Sequence, residues 1–248
     1  MIELKTTEEI KRMREAGAVC AACMTEVLKA VEAGITTGEL DRIAFDFIKK
    51  HHGEPSFLNY HGYPKSICAS VNDVVVHGIP GKLKLKDGDI ISIDMGVKLH
   101  GYHSDMARTV PVGKIPSETQ RLIDVTKQSF FDGLECAVIG NHLNDVSQRI
   151  EFTIRAGGFS AVRDLVGHGI GREMHEAPDV PNFSSPRRGP RLKEGLVLAI
   201  EPMVNMGGCE VYQAEDGWTI HTDDGSLSAH YENTVAITKD GPQILTAL

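Results

Sequence analysis

The chain carries an internal copy of part of itself, and this repeat limits its fold more than any other feature. Leu85-Lys86-Asp87-Gly88-Asp89-Ile90-Ile91-Ser92-Ile93-Asp94 matches Leu192-Lys193-Glu194-Gly195-Leu196-Val197-Leu198-Ala199-Ile200-Glu201 at a constant spacing of 107 residues. Phe45-Asp46-Phe47 and Ile150-Glu151-Phe152 correspond at a spacing of 105. Both copies show the same order of predicted elements. In the first, Thr6 and Glu9 spell a capping box ahead of Ile10, Met13, Gly17, Cys20, Met24, Val27 and Val31 at helical spacing, with Gly34 as the stop. Thr36 and Glu39 cap a second helix carrying Leu40, Ile43, Ala44, Phe47 and Ile48, ended by Gly53. Strands are predicted near Ser66–Val71, Ile90–Val97 and Tyr102–Val110. In the second copy, Ser117 and Gln120 read as a capping box that opens a helix toward Val138. A further helix is predicted near Asp145–Ala156, closed by Gly157-Gly158, with strands near Leu165–Gly171, Leu196–Val204 and Ser228–Thr238. Two helix–helix–strand units without a flexible linker predict an α+β fold with pseudo-twofold symmetry. It is expected to be one domain over residues 1–248, with halves of about 1–115 and 116–248.

The repeat has a chemical consequence. It puts a carboxylate, Asp94 and then Glu201, at the same point of each half, and a pseudo-twofold axis brings those points together. By two-residue alternation Asp94 shares a strand face with Ser92 and Ile90, Glu201 with Ala199 and Val197, and Glu232 with Thr234 and Ala236. Asp105 follows Gly101-Tyr102-His103-Ser104 on another strand. Carboxylates in such strands are costly to bury unless paired or metal-bound. One acid alone reads more readily as a strand end, a bulge or a salt bridge than as a site. Four together, two of them repeat-equivalent, point to a site. His168 sits among glycines in Gly167-His168-Gly169-Ile170-Gly171, where backbone and ligand can come close. His175 follows in Met174-His175-Glu176-Ala177-Pro178, and His77 lies in Val76-His77-Gly78-Ile79-Pro80. As a set, Asp94, Asp105, His168, Glu201 and Glu232 form an oxygen-rich ligand sphere with one imidazole. Its four carboxylates carry a charge of −4, which two divalent ions neutralise. Such ions lie roughly 3.5–4 Å apart when carboxylates bridge them. Oxygen-rich ligation favours Mn or Fe(II) over a thiolate-bound structural zinc.

Composition narrows the class. A net charge of −8 gives no electrostatic basis for sequence-independent nucleic-acid binding. The short run Pro186-Arg187-Arg188-Gly189-Pro190-Arg191 reads as a solvated loop, with a contact patch for ribosomal RNA or another anion as the sharper alternative. Five cysteines, an odd number without a framework, predict reduced thiols and a cytoplasmic protein. Cys20 and Cys23 have C-x-x-C spacing but fall inside an amphipathic helix, so they are expected in the core. The opening residues read as neither a signal nor a transit peptide, and no apolar run is long enough to span a membrane. With no excess of apolar surface in the composition, a monomer is expected.

Several longer motifs fall in one order. They are Tyr60-His61-Gly62-Tyr63-Pro64-Lys65-Ser66, Asn72-Asp73-Val74-Val75-Val76-His77-Gly78-Ile79-Pro80, Asp94 with Asp105, the glycine-flanked His168, Glu201-Pro202 and Tyr231-Glu232-Asn233-Thr234. Jointly they resemble the type I methionine aminopeptidases of the pita-bread fold, over essentially the whole chain. The resemblance implies two αβ halves around a curved antiparallel sheet, with the site in the central cleft. It implies that Asp94 holds one divalent metal and His168 the other, that Asp105 and Glu232 bridge, and that Glu201 both binds metal and handles protons. The metals so implied are two of Mn, Fe(II), Co or Zn. His175 is implied to bond the scissile carbonyl oxygen and His77 the amide nitrogen. Tyr60, Tyr63, Cys68, His77, Met174 and Trp218 are implied to line a slot for a methionine side chain. Two positions depart from some members of the family: Phe57 stands where a cysteine can occur, and Met174 where an aromatic can.

The activity implied by the resemblance is removal of the first methionine from nascent polypeptides with a free α-amine and a small second residue. A monovalent cation near Asn72, Val74 and Ser228, and association with the ribosome, follow from the same resemblance. Two rivals stand beside it. One is a pita-bread peptidase for Xaa-Pro bonds, although such enzymes usually carry an additional N-terminal domain. The other is a non-catalytic pita-bread module that binds nascent chains or nucleic acid, although such relatives typically lose metal ligands.

Overall fold

The first helix of the computed structural model, which describes residues 2–247, starts at the cap that the sequence encodes. The Thr6 hydroxyl accepts from the Glu9 N–H at 3.3 Å, and the Glu9 carboxylate accepts from the Thr6 N–H at 2.9 Å. Thr36 and Glu39 repeat the arrangement at the second helix. The first half then runs α1 (Thr7–Lys29), α2 (Thr37–Lys50), β1 (Glu54–Pro55), a single 3-10 turn (Tyr60–Gly62), β2 (Cys68–Val71), β3 (Val74–Val76), β4 (Ile90–Leu99) and β5 (Tyr102–Pro111). The second begins with α3 (Ser117–Glu135), α4 (Leu143–Ala156), β6 (Ser160–Ala161), β7 (Gly167–Gly169), β8 (Glu176–Val180) and β9 (Val197–Ile200). It continues with β10 (Met203–Asn205), β11 (Val211–Gln213), β12 (Ile220–Thr222), β13 (Ser228–His230), β14 (Asn233–Thr238) and β15 (Gly241–Ile244).

Three local expectations need correction. Ser117 is the first residue inside α3 rather than its cap. Pro116 takes the capping position with no side-chain bond, so the Ser117–Gln120 box does not form. Proline sets an extended φ without offering a side-chain acceptor. Helix α1 ends at Lys29, short of Gly34. The Gly34 N–H donates to the Leu85 carbonyl and the Leu85 N–H to the Ile35 carbonyl, which draws this segment off the helix axis. The two long strands of the second half are each broken. One break falls at Glu201-Pro202, where proline cannot donate to the ladder. The other falls at Tyr231-Glu232, where Glu232 turns its backbone to pair with Ala107 of the first half.

Every strand pairing among the described residues is antiparallel. Strand β4 carries β5 on one edge and β1 and β2 along the other. The order β15-β14-β9-β7-β8 makes the widest sheet. The corresponding strand pairs of the two repeat copies are β4 with β5 and β9 with β14. One apolar cluster packs α1 and α2 on β2, β4 and β5, with Met24, Leu40, Ile91 and Ile93 fully buried. A second packs α3 and α4 on β9, β10 and β14 around Phe130, Ile150, Leu198 and Val235. Cys20 and Cys23 belong to the first cluster, as expected, and all five cysteines are free. The halves are also stitched together: β3 pairs with β12, and the Thr234 hydroxyl bonds both the N–H and the carbonyl of Asp105 at 2.8 and 3.0 Å.

The cap at α2 is exposed, so its contribution can be isolated. Thr36→Ala is expected to lower unfolding free energy by about 1 kcal/mol in urea titration, with an unchanged m-value. A change within a few tenths would mean that the box is idle.

Candidate metal centre and active site

Four carboxylates meet where the two repeat copies meet. In the β4–β5 ladder Asp94 stands opposite Ala107, and Asp105 opposite Gly96. Glu201 follows the end of β9, and Glu232 directly precedes β14. His168 on β7 lies opposite Ala199 on β9, two residues before Glu201. Asp94, Asp105, His168 and Glu232 are buried, and the Glu201 side chain is 13% exposed. The Asn182 amide fixes the Glu201 carbonyl at 2.9 Å. Ligand atoms of Asp105, His168 and Glu232 all lie within 4.8 Å of one another. The His168 Nε2 is 3.7 Å from both an Asp105 and a Glu201 oxygen.

These distances describe a set of acceptors without a donor. His168 Nδ1 lies 2.8 Å from the Gly169 carbonyl, which can only accept, so Nδ1 carries the proton. Nε2 then turns a lone pair toward the carboxylates. Burial holds this imidazole neutral, with its pKa down to about 3. Oδ1 of Asp94, Oδ1 of Asp105 and Oε1 of Glu232 have no hydrogen-bond partner among the described residues. Burial, then mutual repulsion, drives the Asp105 and Glu232 carboxyls well above the carboxylate range, and burial likewise raises Asp94 and Glu201. A divalent cation resolves all of this: it supplies the missing partner and makes the ionised form the favoured one. The donor set fits hard or borderline divalent ions.

The glycines around His168 are spent on strand packing. A Cβ on Gly167 would fall 2.4 Å from the Ala199 carbonyl oxygen, and one on Gly169 2.4 Å from that of Ala177. Close passage of β7 between β8 and β9, rather than approach of a ligand, requires them.

The acids floor a cavity of about 360 Å³. Its walls include Tyr60, Tyr63, Cys68, His77, Met174 and Trp218, with Phe57 beside them, so the predicted slot residues do converge. Tyr63 and Trp218 meet edge to face at 5.1 Å. The Tyr63 hydroxyl is turned away, shared between the carbonyls of Ile67 and Gly78, so its ring faces the slot. His77 and His61 both hold left-handed backbone, at φ +59 and +47. For non-glycine residues this is uncommon and gathers at functional sites. Burial lowers the His77 pKa to about 4. The His175 Nδ1 is hydrogen-bonded to the Tyr60 hydroxyl at 2.8 Å, and its ring lies 4.1 Å from that of His168. Its Nε2 is left for a ligand.

Asn72, Val74 and Ser228 do not line this cavity. They meet outside it, where the Ser228 N–H donates to the Asn72 carbonyl at 2.9 Å and Val74 pairs with His221. Two residues of the centre were not singled out from the sequence. His61 lines the cavity rim, and its place in Tyr60-His61-Gly62-Tyr63 was the available signal. His230 is buried with both ring nitrogens unpartnered among the described residues, its Nε2 3.5 Å from Glu201. Two-residue spacing from Glu232 could have found it.

The model of metallopeptidase family M24 matches residues 11–239. The chain belongs to that family, whose members are metal-dependent peptidases, and its fold is the pita-bread fold. Among its relatives is the methionine aminopeptidase of Clostridium perfringens, 56% identical over 248 residues and covering 100% of both chains. The crystal structure of methionine aminopeptidase from Thermotoga maritima superposes with a TM-score of 0.98 at 42% identity, again over 100% of each chain. Prolidase from Pyrococcus furiosus is more distant. It has a TM-score of 0.78 at 22% identity over 99% of this chain and 65% of the other, a likeness of fold alone. No described helix is long and apolar enough to cross a membrane.

Relief of carboxylate repulsion by a cation should appear as stability. Adding Mn(II) to chelator-stripped protein at a hundredfold excess over its Kd should raise Tm by roughly 5–10 °C. An unshifted Tm would contradict a divalent site here.

Proposed function

We propose that this protein is a metal-dependent methionine aminopeptidase, removing the N-terminal methionine from polypeptides. The observation that carries this reading is the joining of a buried, partnerless carboxylate cluster to an apolar slot, in a chain similar over its whole length to enzymes of that name. Asp94, Asp105, His168, Glu201 and Glu232 are the proposed ligands of two divalent ions, drawn from Mn, Fe(II), Co or Zn. When bound, these ions supply a water of near-neutral pKa and a Lewis acid for the scissile carbonyl.

The remaining steps belong to side chains. Glu201 takes the proton of the attacking water and delivers it to the departing amide nitrogen. His175, steadied by Tyr60 at Nδ1, offers Nε2–H to the carbonyl oxygen as negative charge develops there. His77 faces the same cavity and bonds the amide nitrogen as it leaves. Phe57, Tyr60, Tyr63, Cys68, Met174 and Trp218 receive the methionine side chain, whose polarisable sulfur suits aromatic edges and a thiol. Acidic residues at the floor favour a substrate with a free α-amine, so a formylated end is excluded and deformylation comes first. The second residue is small.

Further parts of the proposal follow from the resemblance, namely a monovalent cation at the backbone oxygens of Asn72, Val74 and Ser228 and action on nascent chains at the ribosome; a cytoplasmic monomer follows from the cysteines and the composition, and one domain whose halves divide near residue 115 from the linker-free repeat. The Xaa-Pro reading is not favoured, since its representative shares the fold at 22% identity. A non-catalytic module is not favoured either, because the full set of acids is present.

The test uses protein loaded anaerobically with Mn(II) or Fe(II). A Met-Ala-Ser peptide should release free methionine, while N-formyl-Met-Ala-Ser and a peptide beginning Ala-Pro should not be cleaved. Cleavage of the Ala-Pro peptide instead would overturn the reading. Glu201→Gln should keep bound metal yet lose about 100-fold or more in kcat, and His77→Ala should lower kcat with metal content unchanged. Wild-type turnover in both would overturn the assigned roles.

A further inference from the structure

Lys5 lies just ahead of α1 and is buried, with its side chain only 3% exposed. A buried ammonium needs a reason. It has two carboxylate partners: the exposed Glu3, with an oxygen 3.3 Å from Nζ, and, closer and distant in sequence, Glu176, itself 13% exposed, with an oxygen at 2.6 Å. The other Glu176 oxygen accepts the N–H groups of Arg172 and Glu173 at 2.9 and 3.3 Å. One carboxylate thus ties the turn that carries Met174 and His175 to the segment before α1.

The contact is built tightly. The Lys5 N–H donates to the Gly195 carbonyl at 2.6 Å. A Cβ on Gly195 would fall 2.5 Å from the Lys5 carbonyl oxygen, and a Cβ on Gly171 would fall 2.3 Å from the Lys5 Cε. Both glycines leave room for this strap. The capping box of α1 adds a second tie. The Glu9 oxygen Oε1 accepts from Arg172 at 3.1 Å and from the Tyr102 hydroxyl at 2.9 Å, while Oε2 holds the cap.

We propose that Lys5 is a positioning residue for His175: through Glu176 it fixes the 171–176 turn so that the imidazole stands against the cavity. The inference rests on the proposed role of His175 at the scissile carbonyl. The two residues on the turn are not held alike. Met174 is 1% exposed and packed among Met13, Tyr102, Ile170 and Val197, so apolar contact holds it whatever happens to Lys5. His175 is exposed, and among the described residues its one side-chain hydrogen bond runs to Tyr60. Loosening the turn therefore misplaces His175 while leaving the methionine slot standing, and the deficit falls on kcat rather than KM.

The experiment is a double-mutant cycle in metal-loaded enzyme, with Lys5→Met and His175→Ala made singly and together. Lys5→Met keeps the apolar stem and removes the charge. The expected result is a roughly 10- to 100-fold fall in kcat for Lys5→Met, KM and Mn(II) affinity within about twofold of wild type, and little further loss when it is added to His175→Ala. A fall of the same factor in both backgrounds would overturn the proposal, because Lys5 would then act other than through His175. A wild-type kcat for Lys5→Met would overturn it as well. A wild-type kcat for His175→Ala would instead sink the role of His175, a separate failure read from that variant alone. Should Lys5→Met not fold, Glu176→Gln enters the same cycle, since its amide oxygen still accepts the turn N–H groups while the ion pair is gone. Its expected and overturning results are the same.

Discussion

Four carboxylates brought together in a buried place are the condition on which the rest of this structure depends. Each loses hydration, and each raises the cost of ionising the next, so the arrangement repels itself until a cation enters. The surrounding protein relieves that repulsion only in part: Arg108 acts on Glu232 and His230 on Asp94 in the lowering direction, but burial outweighs both. His168 is held neutral by burial and by its bond to Gly169, and it adds a lone pair, not a proton. His230 stands beside Glu201 equally without a partner. A site that neutralised itself with a lysine or arginine would have no need of metal.

Holding such a group requires rigid supports from both repeat copies. The first copy gives Asp94 and Asp105 on neighbouring strands of one long ladder. The second gives Glu201 and Glu232 at two strand breaks, where Pro202 ends one ladder and Glu232 crosses to Ala107. Thr234 clamps the Asp105 backbone from the opposite half, and Asn182 clamps Glu201. Around this floor the apolar slot, His77 in its strained backbone and His175 on its tethered turn complete a cavity with one acidic end and one greasy end. That polarity matches a substrate that begins with an amine and a thioether side chain.

Much of this was legible in the chain because the repeat fixes position as well as composition. Asp94 and Glu201 could be paired from the 107-residue spacing alone, and the helices at Thr6 and Thr36 announce themselves through local capping bonds. What escaped was set by tertiary contact. Gly34 does not end α1, since Leu85 draws its segment away. Ser117 lost its capping place to Pro116. The glycines beside His168 looked like room for a ligand and proved to be room for neighbouring carbonyls. His230 carried a signal, its spacing from Glu232, but no motif drew attention to it. Lys5 gave none, because a lysine before a helix is usually solvated.

The number and place of the ions is the claim on which the chemistry turns. Crystals of the protein grown with Mn(II) under reducing conditions, measured at a wavelength where manganese scatters anomalously, would locate them directly. Two peaks roughly 3.5–4 Å apart, within bonding distance of Asp94, Asp105, His168, Glu201 and Glu232, are the expected result. A map with no peak among these residues, or with manganese bound only elsewhere on the molecule, would contradict it.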